Sequence, residues 1–204
     1  TQVEGVDEAD IIKTDGSYIY YLSSGKGVAV IQGGKTPKQV ASLQPGGKVG
    51  VDLPQYQDLY ISGKKLVITA TNYNSQMAQD FSDTVPAMRY AQSTAFYVYD
   101  MTDPAKPSLE RSVEVSGALN TSRLYNNRIY FVTNTYANAG LSDSILSALP
   151  LYMDTALGND LYVFSPENIY LSVDQSSYGA PFTVLGAFNL TDEKPVNPVA
   201  YQGY

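Results

Sequence analysis

The 204-residue chain contains no cysteine, no histidine and no tryptophan. The first two absences exclude a histidine-dependent catalytic triad, a thiol nucleophile, a structural disulfide and any ordinary zinc site. A chain without cysteine suits an exported bacterial protein that needs no disulfides, although it does not fix a compartment. Charge is scarce as well: charged residues make up 16% against 44% hydrophobic, a balance that excludes a disordered chain. The formal net charge is −7, and no basic stripe runs among the aromatics, so nucleic acid is not expected as a partner. No run of about 18 apolar residues occurs, so no transmembrane segment is expected. Thr1 to Asp10 is polar and acidic and lacks the pattern of a signal peptide.

What the chain has in abundance is tyrosine, 18 residues against 6 phenylalanines. Tyrosine favours strands, and it suits surfaces where the ring packs while the hydroxyl stays wet. Period-two alternation recurs with turn residues between the runs. Ile11-Ile12-Lys13-Thr14, then Asp15-Gly16, then Tyr18-Ile19-Tyr20-Tyr21-Leu22 reads as a tight hairpin. The pattern returns around Ser62-Gly63 and again around Asn126-Asn127. Asp, Asn and Gly supply the positive φ angles that two-residue turns require.

A second marker follows each hairpin. Val28 to Ile31, Phe96 to Tyr99 and Val184 to Phe188 each lead into a turn and then a further apolar run. Pro37, Pro104, Pro107 and Pro195 mark these turns, and Asp100, Asp103 and Asp192 are explained by turn formation. Each repeat therefore carries four strands, A to D, joined as a meander. Four-stranded repeats of this length predict an all-β, β-propeller-like chain with about three antiparallel blades, forming a partial ring. The blades fall at about 10–44, 57–116 and 119–203, within one partial propeller domain over 1–204. A fourth is open at Leu161 to Phe164 and Ile169 to Val173, read here as a hairpin inside an insertion.

The repeats differ mainly between strands B and C, where insertions occupy 72–93 and 134–181. Ser142 to Leu149 reads as a short helix with Ser142 as its cap. A meander puts the B–C and D–A connections on one face, so both insertions elaborate the same face. Function on a rigid scaffold concentrates in such loops.

Gln2-Val3-Glu4-Gly5-Val6-Asp7-Glu8-Ala9-Asp10-Ile11-Ile12-Lys13-Thr14-Asp15-Gly16 resembles the opening motif of a known family. These are secreted bacterial and archaeal proteins with a C-terminal β-propeller distantly related to WD repeats. Tyr97 to Pro107, Ser122-Arg123-Leu124 and Leu149 to Asp154 resemble it too. The resemblance implies a secreted or cell-surface propeller without an assigned reaction, and a full ring longer than this chain. Self-association of two arcs is one way to close such a ring.

Candidate residues follow from these placements. Asp7, Glu8 and Asp10 offer carboxylate oxygens to calcium, though without the spacing of a calcium loop, and structural capping is the plainer reading. Otherwise no cofactor is expected. Tyr56, Tyr73, Tyr90, Tyr136 and Tyr152 lie in loops or at strand ends on the elaborated face. They either stack on a ligand or pack the insertions onto the blades. Asp7, Glu8, Asp58, Asp80, Asp83 and Asp154 supply candidate carboxylate pairs for glycoside cleavage. Asn120-Thr121-Ser122 and Asn189-Leu190-Thr191 match glycosylation acceptors by accident, and no glycine pair has the context of a phosphate loop. The leading expectation is a non-catalytic binding or scaffolding domain with a protein, peptide or glycan partner. The alternative is a carbohydrate-active enzyme using two carboxylates.

Overall fold

The computed structural model describes residues 6–46, 54–73, 92–136, 149–172 and 181–203. Among them, three sheets each contain a four-stranded antiparallel meander. Sheet I comprises β2 (Ile12–Thr14), β3 (Tyr18–Ser23), β4 (Gly27–Gln32) and β5 (Lys38–Leu43). Sheet II has β6 (Gln55–Ser62), β7 (Lys65–Asn72), β8 (Ser93–Asp100) and β9 (Ser108–Ser116). Sheet III has β10 (Ala118–Tyr125), β11 (Arg128–Tyr136), β15 (Pro181–Asn189) and β16 (Val199–Gln202).

Turn chemistry closes the hairpins. Gly16 and Gly63 hold φ of 93° and 57°, while Asn126 and Asn127 both adopt the left-handed region at 48° and 59°. The Asp15 carboxylate accepts the N–H groups of Ser17 and Tyr18 at 2.9 and 2.7 Å. In the C–D turns, Asp100, Asp103, Asn189 and Asp192 each accept an N–H from two residues further on.

Burial along the strands shows how the sheets stack. β3 alternates buried and exposed residues, the pattern of a sheet covered on one side. β7 and β8 are buried almost throughout, because sheet II lies between the other two. One core layer joins Tyr20, Leu22 and Val30 of sheet I to Leu59, Leu66 and Ile68 of sheet II. The other joins Tyr60, Val67 and Phe96 of sheet II to Ile129, Phe131 and Phe188 of sheet III. Phe131 lies directly opposite Gly186, and a Cβ there would sit 2.2 Å from the ring tip. Only glycine admits that approach.

Two pairings depart from the sequence reading. Among the described residues, 161–172 form no hairpin with one another and no sheet of their own. β12 (Leu151–Asp154) adds to the outer edge of β9, and β13 (Leu161–Val163) pairs with β12. β14 (Ile169–Leu171), beyond a 3-10 turn at Pro166–Asn168, lies parallel on β16. The insertion thus covers the outer edges of two neighbouring sheets, satisfying rows of backbone groups that would otherwise be open. The helix read over 142–149 lies outside the described residues, apart from Leu149.

The leading segment crosses all three sheets along their first-strand edges. β1 (Val6–Asp7) pairs with Leu124 and Tyr125 of β10. Asp10 then bridges Leu59 of β6, and the Ile11 carbonyl accepts the Leu22 N–H at 2.8 Å. Lys13 fastens the segment, with its Nζ 2.9 Å from the Asp7 carboxylate and 2.6 Å from the Glu8 carbonyl.

Candidate functional site

The five tyrosines separate into different environments. Tyr56 is buried between sheets I and II, and its hydroxyl donates to the Pro45 carbonyl at 2.8 Å. Burial, and after it the nearby Tyr99, pushes its hydroxyl up to about 12. Tyr152 is half-buried on β12, stacked on Tyr162 and edge-on to Phe164, with centroids 5.5 Å away in each case. Both therefore pack the structure. Tyr90 lies outside the described residues, as do Asp80 and Asp83.

Tyr73 and Tyr136 are different: they are 52% and 72% exposed. The Tyr73 hydroxyl reaches Gln55 Oε1 at 3.1 Å and leaves the ring open to solvent. Each stands the same distance beyond the first residue of its sheet's second strand, Lys65 of β7 and Arg128 of β11. The meander therefore puts both on the face where the B–C connections leave.

The described candidate carboxylates fall into two groups, Asp7, Glu8, Asp10 and Asp58 around Lys13 and Arg123, and Asp154 apart on β12. Asp7 is paired with Lys13, Asp10 Oδ1 accepts the Ile11 N–H at 2.7 Å, and Glu8 lies 4.0 Å from Arg123. Among the described residues, no group of three or more acidic side chains is placed to hold a metal ion. Asp58, half-buried on β6, is the exception in its electrostatics. Burial, reinforced by Asp10 and opposed by Lys13, pushes its carboxyl above the usual range. A raised folded value means the protonated form favours the fold, so that stability is present at low pH and lost as pH rises through the raised titration. Asp58→Asn is accordingly expected to raise the thermal midpoint at neutral pH, with the gap closing as the medium is acidified below that titration. Midpoints measured across pH would sink this account if the gap stayed constant.

Asp154 is wholly buried. It accepts Nε and Nη2 of Arg111 at 2.9 and 2.6 Å, and the N–H groups of Ala156 and Val196 at 3.0 and 2.7 Å. Arg111 spends its remaining donors on the carbonyls of Asn189, Asp192 and Lys194 and lies over the Phe188 ring. The guanidinium is thus saturated and has no donor left for a ligand. Above this pair opens a cleft of about 650 Å³, flanked by Lys65, Glu110, Asp192 and Glu193, on the face opposite Tyr73 and Tyr136. Lys65 is itself held by Glu110 and Asp100. Sequence reasoning missed the pair, since a lone arginine and a lone aspartate far apart in the chain carry no motif.

No helix among the described residues is long and apolar enough to cross a membrane. A search of curated proteins and a search of solved structures each return no match. The model of one family, the beta propeller domain, matches residues 1–204. Together with three stacked four-stranded meanders, that match across the whole chain shows that this protein belongs to the β-propeller domain family.

Proposed function

We propose that the chain is a non-catalytic binding domain of a secreted or cell-surface protein. Its sheets act as three successive blades over about 10–44, 57–116 and 119–203, an arc of a propeller of the kind distantly related to WD repeats. The binding face is the one bearing Tyr73 and Tyr136, and the partner is a glycan, peptide or protein that stacks on aromatic rings. The observation carrying this reading is the equivalence of those two tyrosines: counted from the start of structurally matched strands, the same position holds the same exposed residue type, just past the end of β7 and at the end of β11. Exposed rings with little rotamer freedom are effective anchors. A carbohydrate-active enzyme would need two free carboxylates across an open cleft. Of those named, Asp7 and Asp154 are bound in ion pairs, which favours binding without chemistry.

Tyr73 and Tyr136 are two of the chain's 18 tyrosines, so binding is read by isothermal titration calorimetry rather than by total tyrosine fluorescence. Titration with chitotetraose, cellotetraose and an extended aromatic-rich peptide is expected to give saturable binding to one of the three. Replacing both Tyr73 and Tyr136 by alanine should weaken it about tenfold without altering the fold, given about 0.5–1.5 kcal/mol per aromatic contact. Unchanged affinity in the double variant, or no binding of any probe by the parent, would overturn the assignment.

A further inference from the structure

Charge is divided unevenly between the two ends of sheets II and III. Residues 55–57, 70–73, 92–95, 114–120, 133–136, 181–184 and 200–203 surround the strand ends on the B–C face. Glu114 is the one charged residue among them, and it is held by Asn72 Nδ2 at 3.0 Å and by the Ser93 hydroxyl. Val113 and Val115 on either side of it pack toward sheet III, so Glu114 is turned the other way. At the opposite ends of the same strands stand Lys65, Asp100, Glu110, Arg123 and Arg128. The B–C face of these two sheets is therefore built from tyrosine, amide and hydroxyl groups.

A shelf stands at the seam between the two sheets. Val67 packs toward sheet III, and counting by twos along β7 places Thr69, Thr71 and Tyr73 on that side. Gln55 lies directly opposite Thr71 on β6 and shares its face. The Tyr73 hydroxyl donates to Gln55 Oε1 at 3.1 Å, which holds the ring while leaving it 52% exposed. Two groups remain side by side at the ring's edge, the Gln55 Nε2 donors and the lone pairs of the Tyr73 hydroxyl oxygen. Beneath them Thr71 is buried, and its Oγ1 has no partner. The first carboxylate on that side, Asp58, lies one pair further in, beside Asp10 and Lys13. Both sheets belong to this chain, so the shelf is complete without any further sheet.

We propose, resting on the reading of Tyr73 as a ligand anchor, that the ligand is a neutral, hydroxyl-rich saccharide held on the Tyr73–Gln55 shelf. A pyranose offers an apolar face to the tyrosine ring and a rim of hydroxyls, each both donor and acceptor, to the groups beside it. Adjacent hydroxyls take the Gln55 N–H and the Tyr73 oxygen together. The unspent Thr71 hydroxyl is met by a further sugar hydroxyl or by a water carried with it. A sulfated or uronate chain calls for arginine or lysine, which this end of sheets II and III lacks among the described residues. An extended peptide draws its affinity from joining a sheet edge, and this face presents strand ends instead.

Calorimetric titration with chitotetraose, cellotetraose, tetragalacturonate and the aromatic-rich peptide separates the cases. A neutral tetrasaccharide should bind at least about tenfold more tightly than tetragalacturonate, since no cation is at hand to pair with the uronate carboxylates. Its affinity should change less than about twofold from low salt to about half-molar salt, because no ion pair is made. Gln55→Ala should weaken it about three- to tenfold, the worth of one hydrogen bond. Gln55 is exposed at the start of β6, so circular dichroism and the melting midpoint should show the fold retained. Binding of the peptide alone, or as tightly as the saccharide, overturns the saccharide assignment and leaves the aromatic anchor standing. Binding of no probe overturns both. Equal affinity for tetragalacturonate, a steep fall with salt, or an unchanged affinity in Gln55→Ala each overturns the saccharide assignment as well.

Discussion

Asp154→Ala is expected to destabilise the chain by about 3–5 kcal/mol, the range for removing one partner of a buried ion pair. The carboxylate has no exposed surface, and it balances a guanidinium set among three carbonyls and the Phe188 ring. Alanine would leave that charge uncompensated where water cannot replace the lost oxygens. It would also orphan the N–H groups of Ala156 and Val196. Urea unfolding gives the magnitude, and a loss below about 1 kcal/mol would mean that solvent reaches the pair. The double variant Arg111→Met/Asp154→Leu should lose less than Asp154→Ala, since neither charge then remains buried alone. Hydrogen exchange in Asp154→Ala should quicken in Leu151–Asp154 and around Val196, because the pair ties β12 and the β15–β16 connection to β9.

Phe96→Ala should cost a comparable amount, about 3–5 kcal/mol. Phe96 is fully buried at the centre of the layer between sheets II and III, 5.1 Å from the Phe131 ring and 5.6 Å from that of Phe188. The cost of a cavity depends on how far its walls can collapse. Phe131 is held against Gly186 across the β11–β15 pair, so it cannot swing inward without giving up that contact. The site should therefore relax poorly and lie toward the upper end of the range. The control is Tyr201→Ala on the exposed face of sheet III, which should lose well under about 1 kcal/mol. Equal losses in the two variants would mean that the layer around Phe96 is not the close-packed core described.

The hairpins were readable in the sequence because their turns are local. Asp15-Gly16, Ser62-Gly63 and Asn126-Asn127 need positive φ, and only a few residue types provide it at low cost. The all-β class followed from the same signal. The fates of Tyr56 and Tyr73 could not be read, because both sit near strand ends. A β-bulge between Tyr56 and Asp58 shifts the register, so Tyr56 joins the layer of Leu59 where simple alternation would have put it with Tyr60. The docking of β12, β13 and β14 was hidden for another reason. Strands of three or four residues show no measurable period, and their partners are chosen by which sheet edges stand open. Arg111 and Asp154, 43 residues apart, meet only because β12 lies along β9.

The course of the leading segment has a consequence for the order of folding. Val6 and Asp7 are synthesised early, yet their strand partners are Tyr125 and Leu124. Until β10 exists they have nothing to pair with, and Asp10 must likewise wait for Leu59. Contacts so distant in sequence close large loops and form late. Each hairpin can form early from its own turn, but the segment that spans all three can settle only afterwards. What docks last opens first, so its amides should exchange faster than those of β7 and β8, making Val6 and Asp7 a reporter of when assembly is complete.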